Sequence, residues 1–218
     1  LLLVGLGICI AYRGNVINIG GEGQMIVAAL LSTWVGLSLS GLPGWLIIII
    51  AMLAGTVAGS IWGGIPGILK AYFNVNEILS TVMMNAIAVQ LMNFFLTGPL
   101  MDPSQAEIAS QIPQTARLDE ALRLPRLVPT RLHLGAAIAV VLAFMVYILL
   151  WRTTLGYRIR AVGQNPHASE YAGIKVKRYI VLALLMSGAF AGLAGVFQVY
   201  GVNYRMITDG SATGFTGS

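Results

Sequence analysis

Residues 42–69 read LPGWLIIIIAMLAGTVAGSIWGGIPGIL and carry no acidic or basic side chain. About 20 apolar residues cross a bilayer as a helix, so this run is long enough to cross it with a tilt. In lipid, small residues let helix backbones approach closely. The stretch therefore predicts a membrane-spanning helix with a packing ridge, or alternatively a helix that slides against its neighbour. Four glycines recur at every fourth position and so share one ridge of this helix: Gly55, Gly59, Gly63 and Gly67.

Other apolar segments accompany this run, and charged residues make up only 10% of the 218 residues. Soluble domains contain about 25%, so this chain has too little charge for a water-exposed surface. We predict an all-α integral membrane protein with about six transmembrane helices, forming a single transmembrane domain over residues 1–218. The other five segments are 1–12, 19–39, 78–96, 134–151 and 179–200, the last with packing glycines Gly188, Gly192 and Gly195.

The two ends of the sequence predict a fragment of a larger polytopic protein. The first segment begins inside an apolar run without a preceding Met, and residues 210–218 are rich in Gly, Ser and Thr. We therefore expect truncation at both ends.

Lys and Arg are unevenly distributed between two long connecting segments. Residues 152–178 hold six of them and one acid, whereas residues 98–133 hold four and four acids. Cytoplasmic loops are enriched in Lys and Arg. We therefore predict that 152–178 is cytoplasmic and 98–133 external, which also places Arg13 and Lys70 on the cytoplasmic side. The net charge of +5 could also suggest nucleic-acid binding. Because the excess lies in one loop, we interpret it as a signal of membrane orientation instead.

Polar residues near and within the spans are candidates for a solute path. Asn18 and Glu22 lie in a glycine-rich stretch at the start of the second span. They belong either to a broken helix bordering the path or to a plain turn before a capped helix. Asn85 and Asn93 share one face of the fourth span, eight positions apart. They either line a pore or hydrogen-bond between helices.

The predicted cytoplasmic loop contains the signals of one short helix. Asn165 is a favourable N-cap, and Pro166 fits the first helical position. Gly173 fits the position just past the C-terminus, so we predict a helix over residues 166–172. Two helical turns are too short to be stable alone. This helix therefore either docks on a partner or is a solvated linker.

Four motifs together resemble a known family. Residues 155–174 read LGYRIRAVGQNPHASEYAGI, and residues 13–24 read RGNVINIGGEGQ. Residues 76–85 read NEILSTVMMN, and residues 187–195 read SGAFAGLAG. In this order they resemble the permease subunits of bacterial ABC importers for simple sugars, nucleosides and branched-chain amino acids. The glycine-rich motif is most similar to the nucleoside or simple-sugar branch.

The resemblance implies a transport subunit in the bacterial inner membrane, without a cofactor, and not an enzyme. Its expected partners are a second permease subunit, two cytoplasmic ATPase subunits and an external solute-binding protein. The predicted short helix would then be the coupling helix that sits in a groove of the ATPase. The residues expected to carry this coupling are Gly156, Arg158, Arg160, Gly163, Asn165, Pro166, Ala168, Tyr171 and Gly173.

Other functions remain as alternatives. Within the family, a nucleoside or simple sugar is the leading solute, and ribose-like sugars or branched-chain amino acids are the alternatives. An ion-coupled secondary transporter is the alternative of another class, but such proteins commonly carry ionisable residues within their spans. The sequence places only Glu22 and Glu77 near spans, both at predicted helix starts. Neither a Walker-type phosphate loop nor a cluster of His and Cys ligands for a metal is recognisable in it.

Overall fold

The chain forms an α-helical bundle in a computed structural model. The structure describes residues 1–39, 41–101, 114–118, 122 and 134–206. The helices are α1 (Leu2–Arg13), α2 (Gly21–Ser38), α3 (Gly44–Phe73), α4 (Glu77–Thr97), α5 (Leu134–Arg152), α6 (Thr154–Gln164), α7 (Pro166–Tyr171) and α8 (Val176–Gln198), which continues as a π-helical turn (Val199–Asn203).

Four of the described helices are long and apolar enough to cross a membrane, namely α3, α4, α5 and α8. The prediction of an all-helical membrane protein is therefore confirmed, but the count of six spans is not. Helix α1 has 12 residues. Helix α2 has 18 residues and opens with the polar Glu22 and Gln24, which shorten its apolar stretch.

Helix α8 is the central element of the bundle. It packs most extensively on α3 and also contacts α1 and α2. Of its most apolar stretch, 56% is buried, against 28% or less in the other three candidate spans. The faces that remain exposed on α3, α4 and α5 are apolar, as expected for surfaces that contact lipid or further helices.

Glycine allows α3 and α8 to approach at backbone distance. A Cβ atom added to Gly59 would lie 2.5 Å from the carbonyl oxygen of Gly188 and 2.6 Å from the Cα of Gly192. A Cβ atom on Gly192 would lie 2.6 Å from the carbonyl oxygen of Gly55. Real Cβ atoms do not come this close, so this crossing is possible only without side chains.

The segments with excess Lys and Arg converge at one end of the bundle. Arg13 and Arg160 both lie over the ring of Trp151. Lys177 lies over the ring of Tyr72, which follows Lys70 by two residues. The few described residues of 98–133 include a stretch at the opposite end of α8. There the backbone N–H groups of Thr115 and Leu118 donate to Met206 and Tyr204, whose carbonyls lie just past α8. The rest of that predicted external loop lies outside the described residues.

The loop between α5 and α8 contains more helix than the sequence signals indicated. We predicted one short helix within 152–178, but α6 precedes it and is almost twice as long as α7. Thr153 starts α6 as its N-cap, because its hydroxyl accepts the Gly156 N–H at 3.2 Å. Helix α7 ends at Tyr171, one residue earlier than predicted.

Replacing Gly59 by Leu should separate α3 from α8 and destabilise the protein. Overpacking costs about 1–3 kcal/mol, which outweighs the gain of about 0.5–1 kcal/mol in helix propensity. The measurement is the midpoint of thermal unfolding in detergent, with the yield of monodisperse protein. Gly5→Leu is the matched control, because a Cβ atom at Gly5 meets nothing within 4 Å. Equal stability of the two variants would contradict this packing.

Candidate solute path and coupling loop

A buried polar network joins the α1–α2 connection to α8. Asn18 is 3% exposed, and its amide nitrogen donates to Ser187 Oγ at 2.8 Å and to Gln24 Oε1 at 3.1 Å. Its Oδ1 accepts the Gly20 N–H at 2.9 Å and Gln24 Nε2 at 3.2 Å. The amide of Asn18 thus makes all four of its hydrogen bonds within the protein.

The glycine ridge also makes room for this network. A Cβ atom on Gly63 would lie 3.0 Å from Gln24 Nε2 and 2.8 Å from the Leu184 carbonyl oxygen. Sequence reasoning missed Gln24 and Ser187 as partners of Asn18, although both lie within quoted motifs. Hydrophobic periodicity carries no signal for a contact between side chains that are 169 positions apart, as Asn18 and Ser187 are.

Asn85 connects α4 to the same irregular segment. Its Oδ1 accepts the Gly23 N–H at 2.9 Å, and its Nδ2 donates to the Ile19 carbonyl at 3.0 Å. These bonds satisfy backbone groups before and at the start of α2, where helix geometry provides no partner. Asn85 therefore makes interhelical hydrogen bonds, which are one of the two roles predicted for it; the other is lining a pore.

The other two predicted path residues are separate from this network. Glu22 is half-buried in the first turn of α2. Asn93 is half-buried two turns along α4 from Asn85, and its carbonyl accepts the Thr97 hydroxyl at 2.8 Å. At the start of α4, Glu77 forms an ion pair with Lys70 at 2.9 Å. Asn76 caps this helix as predicted, since its Oδ1 accepts the Ile78 N–H at 2.9 Å.

Two glycines of the expected coupling set position α6 against the transmembrane helices. A Cβ atom on Gly156 would lie 2.5 Å from the Cα of Leu150, near the end of α5. A Cβ atom on Gly163 would collide with the carbonyl oxygen of Arg13, at the end of α1. Helix α6 therefore lies directly on the ends of two helices of the bundle.

An aromatic ring that two cations contact forms a second connection at this end. The guanidinium of Arg160 lies 4.2 Å from the ring centroid of Trp151, and that of Arg13 lies at 5.5 Å. Cation–π contacts of this kind are stabilising by about 0.5–2 kcal/mol. Sequence reasoning named Arg160 but missed Trp151, because a Trp at the end of a span reads equally well as an interfacial anchor.

Helix α7 projects from α6 with an exposed outer surface. Asn165 Oδ1 accepts the Ala168 N–H at 3.0 Å, Pro166 occupies the first turn, and Gly173 adopts φ +78° just past the end. Ser169 is buried, whereas Ala168 is exposed and Tyr171 is 96% exposed. The capping signals were thus interpreted correctly, and the structure leaves the face with Ala168 and Tyr171 uncovered.

Among the residues that the structure describes, no three His, Cys, Asp or Glu side chains lie close enough to hold a metal ion.

Long apolar helices, packed through glycine and linked by buried amides, define a multi-pass integral membrane protein. The chain belongs to the family described as "Branched-chain amino acid transport system / permease component", whose profile matches residues 1–217. The predicted family is therefore confirmed, and it is consistent with the predicted location in the bacterial inner membrane.

Similar proteins include named transporter subunits. The guanosine ABC transporter permease protein NupP of Bacillus subtilis is 38% identical, over 98% of this chain and 60% of its own length. The nucleoside ABC transporter permease protein NupB of Lactococcus lactis is 35% identical, over 94% and 57%. The glucose ABC transporter permease protein TsgB13 of Haloferax volcanii is 33% identical, over 94% and 55%. The chain thus spans at most 60% of these relatives, and no solved structure matches it significantly.

Replacing Asn18 by Leu should destabilise the bundle, because the Gly20 N–H, Gln24 and Ser187 would lose a buried partner. Each buried group left unsatisfied costs about 1–3 kcal/mol. Thermal unfolding in detergent measures the effect. Gln90→Leu on the exposed surface of α4 provides the control, and we expect it to leave the midpoint unchanged. If both variants unfold alike, the Asn18 network does not hold α8 to the α1–α2 connection.

Proposed function

We propose that this chain is part of the permease subunit of an ATP-driven ABC importer, and that it translocates a nucleoside or simple sugar delivered by an external binding protein. The observation that carries the proposal is α7, a capped helix held at the cation-rich end of the bundle with Tyr171 almost fully exposed. Its partners would be a second permease subunit and two cytoplasmic ATPase subunits.

The distribution of charge supports the proposed orientation of the protein in the membrane. Arg13, Lys70 and the basic residues of the α5–α8 connection gather at one end of the bundle, and Lys and Arg favour the cytoplasmic side. In this orientation α6 and α7 face the cytoplasm, and residues 98–133 face outward. Helix α1 would then be the end of one span and α2 a further span, which makes six spans.

Helix α7 suits a docking role because it has little internal stability. Six residues form fewer than two turns, and isolated helices of this length are not stable in water. Its caps and the contact of α6 with α1 and α5 fix its position before a partner arrives. Motion of a bound ATPase would pass through α6 to the ends of α1 and α5, where Gly163 and Gly156 make backbone contact.

The nucleoside or simple-sugar assignment is supported by the three relatives, which are named as a guanosine, a nucleoside and a glucose permease protein. Branched-chain amino acids remain the alternative within the family. An ion-coupled transporter is less well supported, because Glu77 is paired with Lys70 at a helix start. Copurification of an ATPase subunit with the full-length permease would separate the two classes.

Asn85 and Asn93 are proposed to face the solute path on α4. Loss of one hydrogen bond to the solute, about 0.5–1.5 kcal/mol, should raise the KM for uptake about 2- to 10-fold in Asn85→Ala and Asn93→Ala. Uptake into vesicles with the reconstituted transporter measures this. Ile87→Ala is the control, since Ile87 is 50% exposed and lies on the side of the same helix away from both asparagines.

Thermal stability must be measured in parallel, because Asn85→Ala also removes two bonds to the Ile19–Gly23 segment. A change in stability without a change in KM or solute preference would assign Asn85 to helix packing alone. Wild-type kinetics in Asn93→Ala would remove that residue from the path.

Ala168→Trp and Tyr171→Ala test the coupling helix. The first adds bulk to the exposed face, and the second removes an aromatic side chain of the type that dominates protein interfaces, which typically costs more than about 1 kcal/mol in binding. Both should reduce ATPase pull-down by the full-length permease and ATP hydrolysis stimulated by loaded binding protein, at least 5-fold. The thermal unfolding midpoint should stay unchanged, since neither side chain is buried.

Tyr12→Ala is the matched control, because Tyr12 is a 71% exposed tyrosine at the same end of the bundle but outside α7. It should retain pull-down and stimulation. Normal pull-down and normal stimulation in both α7 variants would leave α7 as a linker and contradict the proposal.

A further inference from the structure

A cleft of about 840 Å³ lies between α6, the connection from α7 to α8, and the start of α8. Of the described residues that line it, three are basic, namely Arg158, Lys175 and Arg178, and none is acidic. All three basic residues are exposed. No described acid forms an ion pair with them, since the one salt bridge found among the described residues joins Lys70 and Glu77. The cleft therefore concentrates positive charge around an open space.

One part of the cleft is lined by apolar side chains. Leu155 and Leu182 line it together with the basic residues. Leu182 lies three residues past Tyr179 on α8, which is roughly 4.5 Å further into the candidate span. An acyl chain can contact these leucines while its headgroup contacts the basic residues, whereas a small soluble anion contacts the basic residues alone.

Two tyrosines mark the level of the lipid headgroups. Tyr157 and Tyr179 line the same cleft, and Arg158 donates a hydrogen bond to the Tyr179 hydroxyl at 2.9 Å. Tyrosine is enriched at membrane–water interfaces, where its ring contacts apolar groups and its hydroxyl contacts polar ones. The bond to Tyr179 directs the guanidinium of Arg158 to this level.

We propose that this cleft binds an anionic phospholipid of the inner leaflet. The phosphate would contact Arg158, Lys175 and Arg178, and an acyl chain would lie against Leu155 and Leu182. Basic pockets between transmembrane helices on the cytoplasmic side are suited to anionic headgroups. The inference rests on the proposed orientation, which places this end of the bundle at the inner leaflet. It links the lipid environment to α6, which the proposed function uses for coupling.

The test compares two double variants of the full-length permease that each remove two positive charges. K175Q/R178Q changes the cleft, whereas R152Q/K177Q changes the same loop outside it. Native mass spectrometry in detergent measures the binding of dioctanoyl phosphatidylglycerol, with dioctanoyl phosphatidylcholine and inorganic phosphate as comparisons. Each basic residue near a bilayer adds about a 5-fold preference for anionic lipid, so K175Q/R178Q should bind phosphatidylglycerol about 30-fold more weakly than wild type. R152Q/K177Q should stay within about 3-fold.

Each other outcome overturns the proposal in a recognisable way. Equal binding of phosphatidylglycerol by the two double variants would show that the cleft is not the lipid site. Equal binding of phosphatidylcholine by wild type would remove the anionic preference, and phosphate that binds as tightly as the lipid would make the site one for a free anion. If K175Q/R178Q keeps lipid binding but loses ATPase pull-down, the cleft belongs to the ATPase interface. The ATPase pull-down of wild type, measured separately, decides the proposed function itself.

Discussion

The contact between the backbones of α3 and α8 is the constraint on which the other helix positions depend. Gly59 faces Gly188 and Gly192 so closely that no side chain fits between the helices. In a bilayer, apolar surface gains little by leaving lipid for protein, so close van der Waals packing has to supply the association. Glycine at every fourth position provides a flat ridge along the crossing. The central place of α8 in the bundle follows from this ridge.

The polar network lies on the same interface and is not a separate feature. Ser187 precedes Gly188 directly, and it accepts a hydrogen bond from Asn18. Gln24 reaches into the space left by Gly63. Where the chain enters α2, Asn18 accepts the Gly20 N–H, and Asn85 accepts the Gly23 N–H and donates to the Ile19 carbonyl. A displacement of α8 would therefore be transmitted to this irregular segment and, through Asn85, to α4.

At the other side of the proposed relay, α6 packs directly on the bundle, whereas α7 leaves one face uncovered. Gly156 and Gly163 bring α6 into backbone contact with α5 and α1, and Arg160 stacks on Trp151. Helix α7 has its caps and a buried Ser169, but its outer surface is uncovered. This contrast suits a coupling element. The uncovered face of α7 can bind a partner, and α6, which packs on α1 and α5, can transmit the partner's motion to them. Lipid bound in the cationic cleft beside α6 would let the lipid composition influence the position of α6.

The sequence by itself determined the class of protein, the helix signals and the family. Run length and low charge suffice for membrane helices, and local capping chemistry at Asn76, Asn165 and Gly173 acts within a few residues, so both can be read from sequence. Only the tertiary structure decided which polar groups meet, since Asn18 and Ser187 are far apart in the chain. It also revealed α6, which packs on the ends of α1 and α5. Local forces leave a record in the sequence, whereas long-range contacts depend on how the glycine ridge brings distant helices together.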